Sequence, residues 1–217
     1  MITKYGINTF VILASISLVI IIASFFINNN YIKFTLLIVG ILFLLFNINF
    51  FRDPERNTPA QENIIVSSAD GKIISIREVF EKRFLNDNAI QVSIFMSPLD
   101  VHVNRIPISG TIDYLNYVKG NYLVAFHDKA DLRNERTEIG ITSKYGKVLF
   151  TQIAGYIARR IVFNIRPGDT VKAGERFGMI KFGSRSDIIV PKKWILKVKV
   201  GDRVKAGETI IFEYPNE

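Results

Sequence analysis

Gly168-Asp-Thr-Val-Lys-Ala-Gly-Glu175 recurs as Gly201-Asp-Arg-Val-Lys-Ala-Gly-Glu208, at an offset of 33 residues. In each copy an apolar strand is paired with a Gly-Asp turn and a second strand opened by Ala-Gly. Such a unit buries little surface alone, so two of them are expected to pack pseudo-symmetrically as a small β-sandwich or barrel. Between the copies runs Lys181-Phe-Gly-Ser-Arg-Ser-Asp187, followed by the apolar Ile188-Ile-Val-Pro191. The Gly183-Ser184 pair is therefore predicted to sit in a turn held by strands on both sides, the support that a strained reactive turn requires. A serine after a glycine in a constrained turn can attack the preceding carbonyl, and that chemistry can turn the serine into a cofactor. Most Gly-Ser pairs are ordinary turns. The rest of the chain decides.

Upstream of the repeat, short β-branched runs dominate. Asn63–Ser68, Lys72–Arg77, Ala89–Phe95 and Lys147–Ile153 read as strands, separated by turn signals at Asp70-Gly71, Ser109-Gly110 and Lys119-Gly-Asn121. Glu78–Phe84 and Lys129–Arg136 read as short helices. The soluble part is thus predicted to be mainly β, within an α+β class, with a hammerhead or barrel-sandwich-like repeat at its end.

The first 51 residues are of another kind. Thr9–Ile27 is a charge-free run of 19 residues and Phe34–Phe51 one of 18, each near the roughly 20 needed to cross a hydrocarbon core. They predict a transmembrane helical hairpin over 1–51, with spans at about 9–27 and 34–51, followed by a domain over 52–217. A cleaved signal peptide fits less well, because no small-x-small site precedes the polar link and a second apolar run follows. Lys4 before the first span and Arg52 and Arg56 after the second outweigh Lys33 between them, which places both ends in the cytoplasm, at the inner membrane.

The 217 residues carry a net charge of +8. With Lys4 and Lys33 set aside, 26 basic residues face 20 acidic ones in residues 52–217, a net of about +6 that draws a tethered domain toward anionic head groups. Nucleic acid is not expected as a partner, since no basic helix or stacking motif accompanies the charge. The absence of cysteine fits a reducing compartment. Two histidines, His102 and His127, and no cysteine argue against a transition-metal site.

A serine hydroxyl needs a base to become a nucleophile, and near neutral pH that base is preferably histidine. His102 lies in Asp100-Val-His102, ahead of Pro107.

Two resemblances follow from these motifs. The repeat resembles the biotinyl/lipoyl hammerhead, whose halves share Gly-Asp-x-Val-x-x-Gly and whose intervening hairpin displays a modified lysine. Met179-Ile-Lys181-Phe is a poor version of that hairpin, and the likeness covers only 160–217. It implies a membrane-tethered carrier or adaptor as the alternative. The second likeness runs from Phe50 onward. Phe50-Phe-Arg-Asp-Pro-Glu-Arg56, Ala69-Asp-Gly71, Ser97-Pro-Leu-Asp-Val-His-Val-Asn-Arg-Ile-Pro107, Asn134-Glu-Arg136, Gly155-x-x-Ala-Arg-Arg-Ile161, Arg176-Phe-Gly178 and Phe182-Gly-Ser184 occur in that order. The series resembles the phosphatidylserine decarboxylase family, in particular its short, membrane-associated form.

That resemblance implies a proenzyme that cleaves itself between Gly183 and Ser184 into a β chain, 1–183, and an α chain, 184–217. Ser184 then becomes an N-terminal pyruvoyl group, the site of a Schiff base with the substrate amine, and no metal is needed. The usual Leu-Gly-Ser-Thr is here Phe-Gly-Ser-Arg, with the two reacting residues kept. His102 is assigned as the base that activates Ser184, and Asp70 as the residue that orients or charge-balances it. Many members carry a second histidine three residues after the first, where this chain has Arg105. Either His102 serves both self-cleavage and decarboxylation, or another group supplies one proton transfer. Arg105, Arg159 and Arg160 are candidates for the lipid phosphate or carboxylate, as are Arg52 and Arg56 after the second span. Tyr114, Tyr117 and Phe126 are weaker candidates for an acyl entrance, and Asn134-Glu-Arg136 for an ion pair that braces the site. His127 matches no family motif. The substrate implied is phosphatidylserine in an anionic membrane, with an ether-linked serine lipid as a variant. A homo-oligomer is compatible with all of this, and so is a homologue that folds but never cleaves.

Overall fold

A computed structural model describes residues 1–120, 134–155, 160–181 and 184–215. The chain divides into two compact units, Met1–Pro54 and Glu55–Glu217.

The first unit is a pair of helices, α1 (Ile7–Ser24) and α2 (Asn30–Phe50), both long and apolar enough to cross a membrane. Each begins earlier than its charge-free run. For α2 the reason is a cap: the Asn29 side chain accepts the Tyr31 and Ile32 amides at 3.0 and 3.3 Å, which carries Lys33 into the first turn. The helices approach closely at Gly40, where a Cβ would lie 2.7 Å from Ile21 Cγ1. Asn47 Nδ2 donates to the Phe10 carbonyl across the pair at 3.1 Å.

The second unit is built from antiparallel strands. Its largest sheet has the order β13 (Arg203–Val204), β2 (Gly71–Glu81), β3 (Asp87–Met96), β11 (Ser184–Pro191), β7 (Gly146–Ala154), β6 (Arg136–Ser143), β5 (Gly110–Val118), β9 (Thr170–Val171). Strand β11 is central, paired along Ser184–Pro191 with β3 and along Ser184–Ile189 with β7. Two three-stranded sheets complete the unit. In one, β10 (Arg176–Lys181) lies between β4 (Val103–Arg105) and β8 (Arg160–Phe163); in the other, β14 (Ile210–Glu213) lies between β1 (Ile64–Val66) and β12 (Ile195–Leu196). One apolar core, including Ile94, Ile141, Phe150, Phe177, Ile188 and Phe212, joins them.

The octapeptide repeat is a conformational repeat. Gly168 and Gly174 have φ of +92° and +81°, and their counterparts Gly201 and Gly207 have +99° and +75°, values that only glycine adopts without strain. Asp169 accepts the Arg166 amide at 2.7 Å, and Asp202 accepts the Lys199 amide at 3.0 Å. The strand after each Gly-Asp turn caps one edge of the large sheet, β9 on β5 and β13 on β2. The next strand, β10 or β14, is the centre of a small sheet. The fold is thus mainly β, as the sequence predicts.

The expected helix at Glu78–Phe84 does not form. Strand β2 continues through Glu81, pairing with β3 from Lys72↔Phe95 to Glu81↔Asp87. A turn follows, in which the Glu81 carboxylate accepts the amides of Arg83, Phe84 and Leu85 at 2.8–2.9 Å. Val79, Phe84 and Leu85 then pack on Ala89, Leu149 and Ile189. Of the other expected helix, Lys129–Arg136, residues 129–133 lie outside the described residues, and Arg136 begins β6.

Candidate active site

Ser184 opens the central strand, wholly buried, with Met96 of β3 and Ala154 of β7 as its register partners. Strand alternation sends Ser184, Ser186 and Ile188 to one face of the sheet. The Ser184 hydroxyl donates to Met96 Sδ at 3.0 Å. A thioether is a weak acceptor, so the hydroxyl is held loosely.

His102 is also wholly buried, immediately before β4. Its Nδ1 lies 2.9 Å from the Asp100 carbonyl oxygen. A carbonyl only accepts, so Nδ1 carries the proton and Nε2 is the basic nitrogen of the neutral ring. The His102 carbonyl accepts the Ile180 amide at 3.3 Å, and β4 pairs with β10 through Met179↔Val103. The histidine is thereby tied to the strand that ends at Lys181, three residues before Ser184.

A buried polar chain links β4 to the start of β11. Asn104 Nδ2 reaches the Ser68 carbonyl at 3.4 Å and Met96 Sδ at 3.8 Å. Asn104 Oδ1 accepts from Gln152 Nε2 at 2.9 Å, and Gln152 Oε1 accepts from Thr137 Oγ1 at 2.8 Å. The hydroxyls of Ser68 and Ser186 lie 2.8 Å apart, and Ser186 donates to the Thr151 carbonyl. Polar groups in a core are tolerated only when satisfied, and then they fix one geometry. These residues were not singled out from sequence. A signal did exist: Gln152 shares strand parity with the core residues Val148 and Phe150, and Ser186 with Ile188.

The brace expected from Asn134-Glu-Arg136 is present in another form. Asn134 Nδ2 donates to the Ala154 carbonyl at 2.7 Å, and the Glu135 carbonyl accepts the Ala154 amide at 2.9 Å. Both ends of the residue beside Ser184 are therefore held. Glu135 Oε1 accepts the Tyr117 hydroxyl at 2.8 Å and the Ile161 amide at 3.2 Å, while Arg136 pairs with Glu138 at 2.8 Å. Burial pushes Glu138 up, but hydrogen bonds from Arg136, Arg83 and Asn116 and the Arg83 charge outweigh it, holding the carboxyl at about 2. Tyr114 also bonds Glu138, at 3.1 Å.

Asp70 is nearly buried, and its carboxylate is engaged on both oxygens. Oδ2 receives Arg56 Nη2 at 2.7 Å, and Oδ1 receives the Ala206 amide at 2.8 Å. Burial raises its pKa; the Ala206 amide and Arg56 oppose the rise, and the Asp100 charge adds to it. The group on His102 Nδ1 is thus the Asp100 carbonyl, while the Asp70 carboxylate is bonded to Arg56 and the Ala206 amide. Arg105 is buried, with Nη1 on the Gly174 carbonyl at 2.9 Å and its amide on the Ser68 carbonyl. Arg160 is exposed on β8 opposite Lys181, whose pKa is lowered by burial and by the Arg160 charge. Arg52 Nη1 donates to the Asn49 carbonyl at 2.6 Å within the first unit. Gly183, Arg159, Phe126 and His127 lie outside the described residues.

The chain is similar to known proteins over most of its length. The phosphatidylserine decarboxylase family pattern matches residues 43–212. A phosphatidylserine decarboxylase proenzyme of Chlorobium phaeovibrioides is 45% identical over 214 residues, covering 97% of this chain and 95% of its own. One from Chlorobium chlorochromatii is 46% identical over 218 residues, covering 99% and 100%. One from Salinibacter ruber is 49% identical over 184 residues, covering 83% and 80%. These relatives are enzymes, and the buried serine at the head of the central strand, with a buried histidine tied to the preceding strand, is the candidate site. The chain belongs to the phosphatidylserine decarboxylase family. The carrier alternative finds no support, since the matches extend far beyond the repeat.

Proposed function

We propose that this chain decarboxylates phosphatidylserine to phosphatidylethanolamine, after cleaving itself between Gly183 and Ser184 into chains 1–183 and 184–217. The observation that carries the proposal is Ser184 itself: a fully buried serine on the central strand, after a glycine, in a member of this family. The site also suits a new N-terminus. Residues 184–189 are paired into the sheet on both sides, so the short chain stays in place once the peptide before it is cut.

In the proposed self-cleavage Ser184 Oγ turns from Met96 to His102 Nε2, loses its proton to it and attacks the Gly183 carbonyl carbon. The amide between 183 and 184 becomes an ester, freeing the residue-184 amine. Removal of the Cα proton breaks the Cβ–O bond and releases Gly183 as a carboxylate. Tautomerisation and hydrolysis then give ammonia and the terminal keto group. That pyruvoyl carbonyl supplies the electron sink for the pair left by loss of carbon dioxide. His102 Nε2 holds the proton that the product carbon takes up, and Asp70 balances the imidazolium charge. Asn104, Gln152 and Asn134 keep the strands around residue 184 in register. Arg159 and Arg160 are proposed to meet the lipid phosphate or carboxylate, while Arg105 holds the Gly174 carbonyl.

The hairpin is proposed to anchor the protein in the inner membrane with the second unit on the cytoplasmic side, where its positive charge favours anionic lipid. A denaturing gel with intact mass on each band tests the whole proposal. Two fragments are expected, the shorter with a blocked residue 184 of pyruvoyl mass. A single full-length chain in membranes that decarboxylate would overturn it. Ser184→Ala is expected to abolish both cleavage and decarboxylation.

A further inference from the structure

The segment that opens the second unit, Glu55–Thr58, lies as a strap across both repeat turns. Glu55 pairs with Arg176 at 2.8 Å, after the first copy. Asn57 donates its amide to Glu208 Oε1 at 3.1 Å, in the second copy. Thr58 fills the space over Gly174 so closely that a Cβ there would meet Thr58 Oγ1 at 1.9 Å. Between them Arg56 turns inward. Its Nη2 is 2.7 Å from Asp70 Oδ2 and its Nη1 is 3.4 Å from Glu208 Oε2, with 8% of its side chain and 13% of that of Asp70 exposed. Bidentate-capable guanidinium on a desolvated carboxylate is a strong, oriented contact.

We propose that Arg56 is a positioning residue for self-cleavage: it fixes the Asp70 carboxylate and keeps it ionised beside the loop that carries His102. The inference rests on the reading that Asp70 serves His102. It extends that reading to a residue of the strap, ahead of the sheet. Among the described residues the charges acting on Asp70 are Arg56 from the strap and Asp100 from the His102 loop, while Glu208 of the second repeat turn pairs with Arg56 and Arg203 with Asp100. Asp100 repels the Asp70 charge and Arg203 partly screens Asp100, at 3.4 Å. Among the described residues Arg56 is the cation bonded to Asp70, and Glu208 is bonded to Arg56 in turn.

The sign follows from these groups. Burial already disfavours the charged form of Asp70, and Arg56 opposes that effect. Removing Arg56 raises the pH at which Asp70 ionises. The acid limb of self-cleavage then moves to higher pH, and a one-unit move is about a tenfold loss of rate on that limb.

The test follows fragment formation by freshly synthesised full-length chain in membranes, from pH 5 to 9. Arg56→Met is expected to raise the acid midpoint and slow cleavage most at low pH. Arg56→Lys, which keeps the charge but not the fork, is expected to keep the wild-type midpoint with a slower plateau. Glu208→Gln, which loosens the strap but leaves Arg56 on Asp70, is expected to leave the midpoint in place. If Asp70→Asn cleaves normally, the reading beneath the inference fails with it. If Asp70→Asn is blocked while Arg56→Met keeps the wild-type rate and midpoint, the inference alone fails. Equal slowing in Arg56→Met and Glu208→Gln, without a midpoint shift, makes Arg56 a strut and overturns it. Should Arg56→Met not fold, Arg56→Gln takes its place, and an unshifted acid midpoint there overturns the inference.

Discussion

The small sheets centred on β10 and β14 are introduced by the same octapeptide, yet they are filled differently. The β14 sheet is apolar where it meets the core: Ile64, Ile65, Val66, Ile211 and Phe212 are all buried. The β10 sheet has Asn104 and Arg105 buried in β4 and His102 just before it. The offset of the repeat places Gly178 of β10 where β14 has Ile211. A Cβ at Gly178 would lie 2.3 Å from the Val162 carbonyl oxygen and 3.1 Å from Gln152 Nε2. The missing side chain is what lets Gln152 reach Asn104. One copy supplies packing, and the other gives up packing to hold a buried polar site.

That contrast breaks most sharply if the copies are exchanged. Gly178→Ile makes β10 resemble β14, and its side chain meets backbone rather than a yielding side chain. The cost is expected at or beyond the upper end of the ~1–3 kcal/mol typical of overpacking, with loss of fragment formation. Ile211→Gly is expected to cost about 3–5 kcal/mol through its cavity, while the folded fraction still cleaves. Denaturant melts beside cleavage assays separate the two; equal cleavage in both variants would remove the asymmetry. His102→Gln keeps the size of the ring's neighbourhood but not the base. Its cleavage rate is expected to fall about 10²–10⁴-fold, with little change in the melting midpoint. Asn104→Ala leaves Gln152 Nε2 without its acceptor, for about 1–3 kcal/mol, and slows cleavage. Ile65→Ala in the other sheet is expected to cost about 2–5 kcal/mol and leave the rate of the folded protein unchanged.

What the sequence made legible follows the same division. The repeat, the apolar spans and the strand runs are local patterns, and each reappears in the structure. Ser184 stood out because chemistry at Gly-Ser is local too. The bonds of Asp70 to Arg56 and Ala206 span 14 and 136 residues, and no spacing rule announces them. Glu78–Phe84 misled because its charges imitate an exposed helix. Pairing with β3 and packing of Val79 and Phe84 on Leu149 and Ile189 override that local preference. Asn104 and Gln152 were missed because a polar residue at core parity looks like noise until its partner is found.

The smallest effect tests the half of the comparison that should show no difference. Asp169 and Asp202 make the same bond in the same turn, each accepting the amide three residues before it. Both are half-buried, and neither touches the polar chain around Ser184. Replacing either with alanine removes one side chain-to-backbone bond, for about 0.5–1.5 kcal/mol. The two melts should match within error, and the cleavage rates of the folded proteins should equal that of the wild type. A loss of cleavage in Asp169→Ala alone would mean that the first turn, which leads through Gly174 to the carbonyl held by Arg105, belongs to the site and not only to its frame.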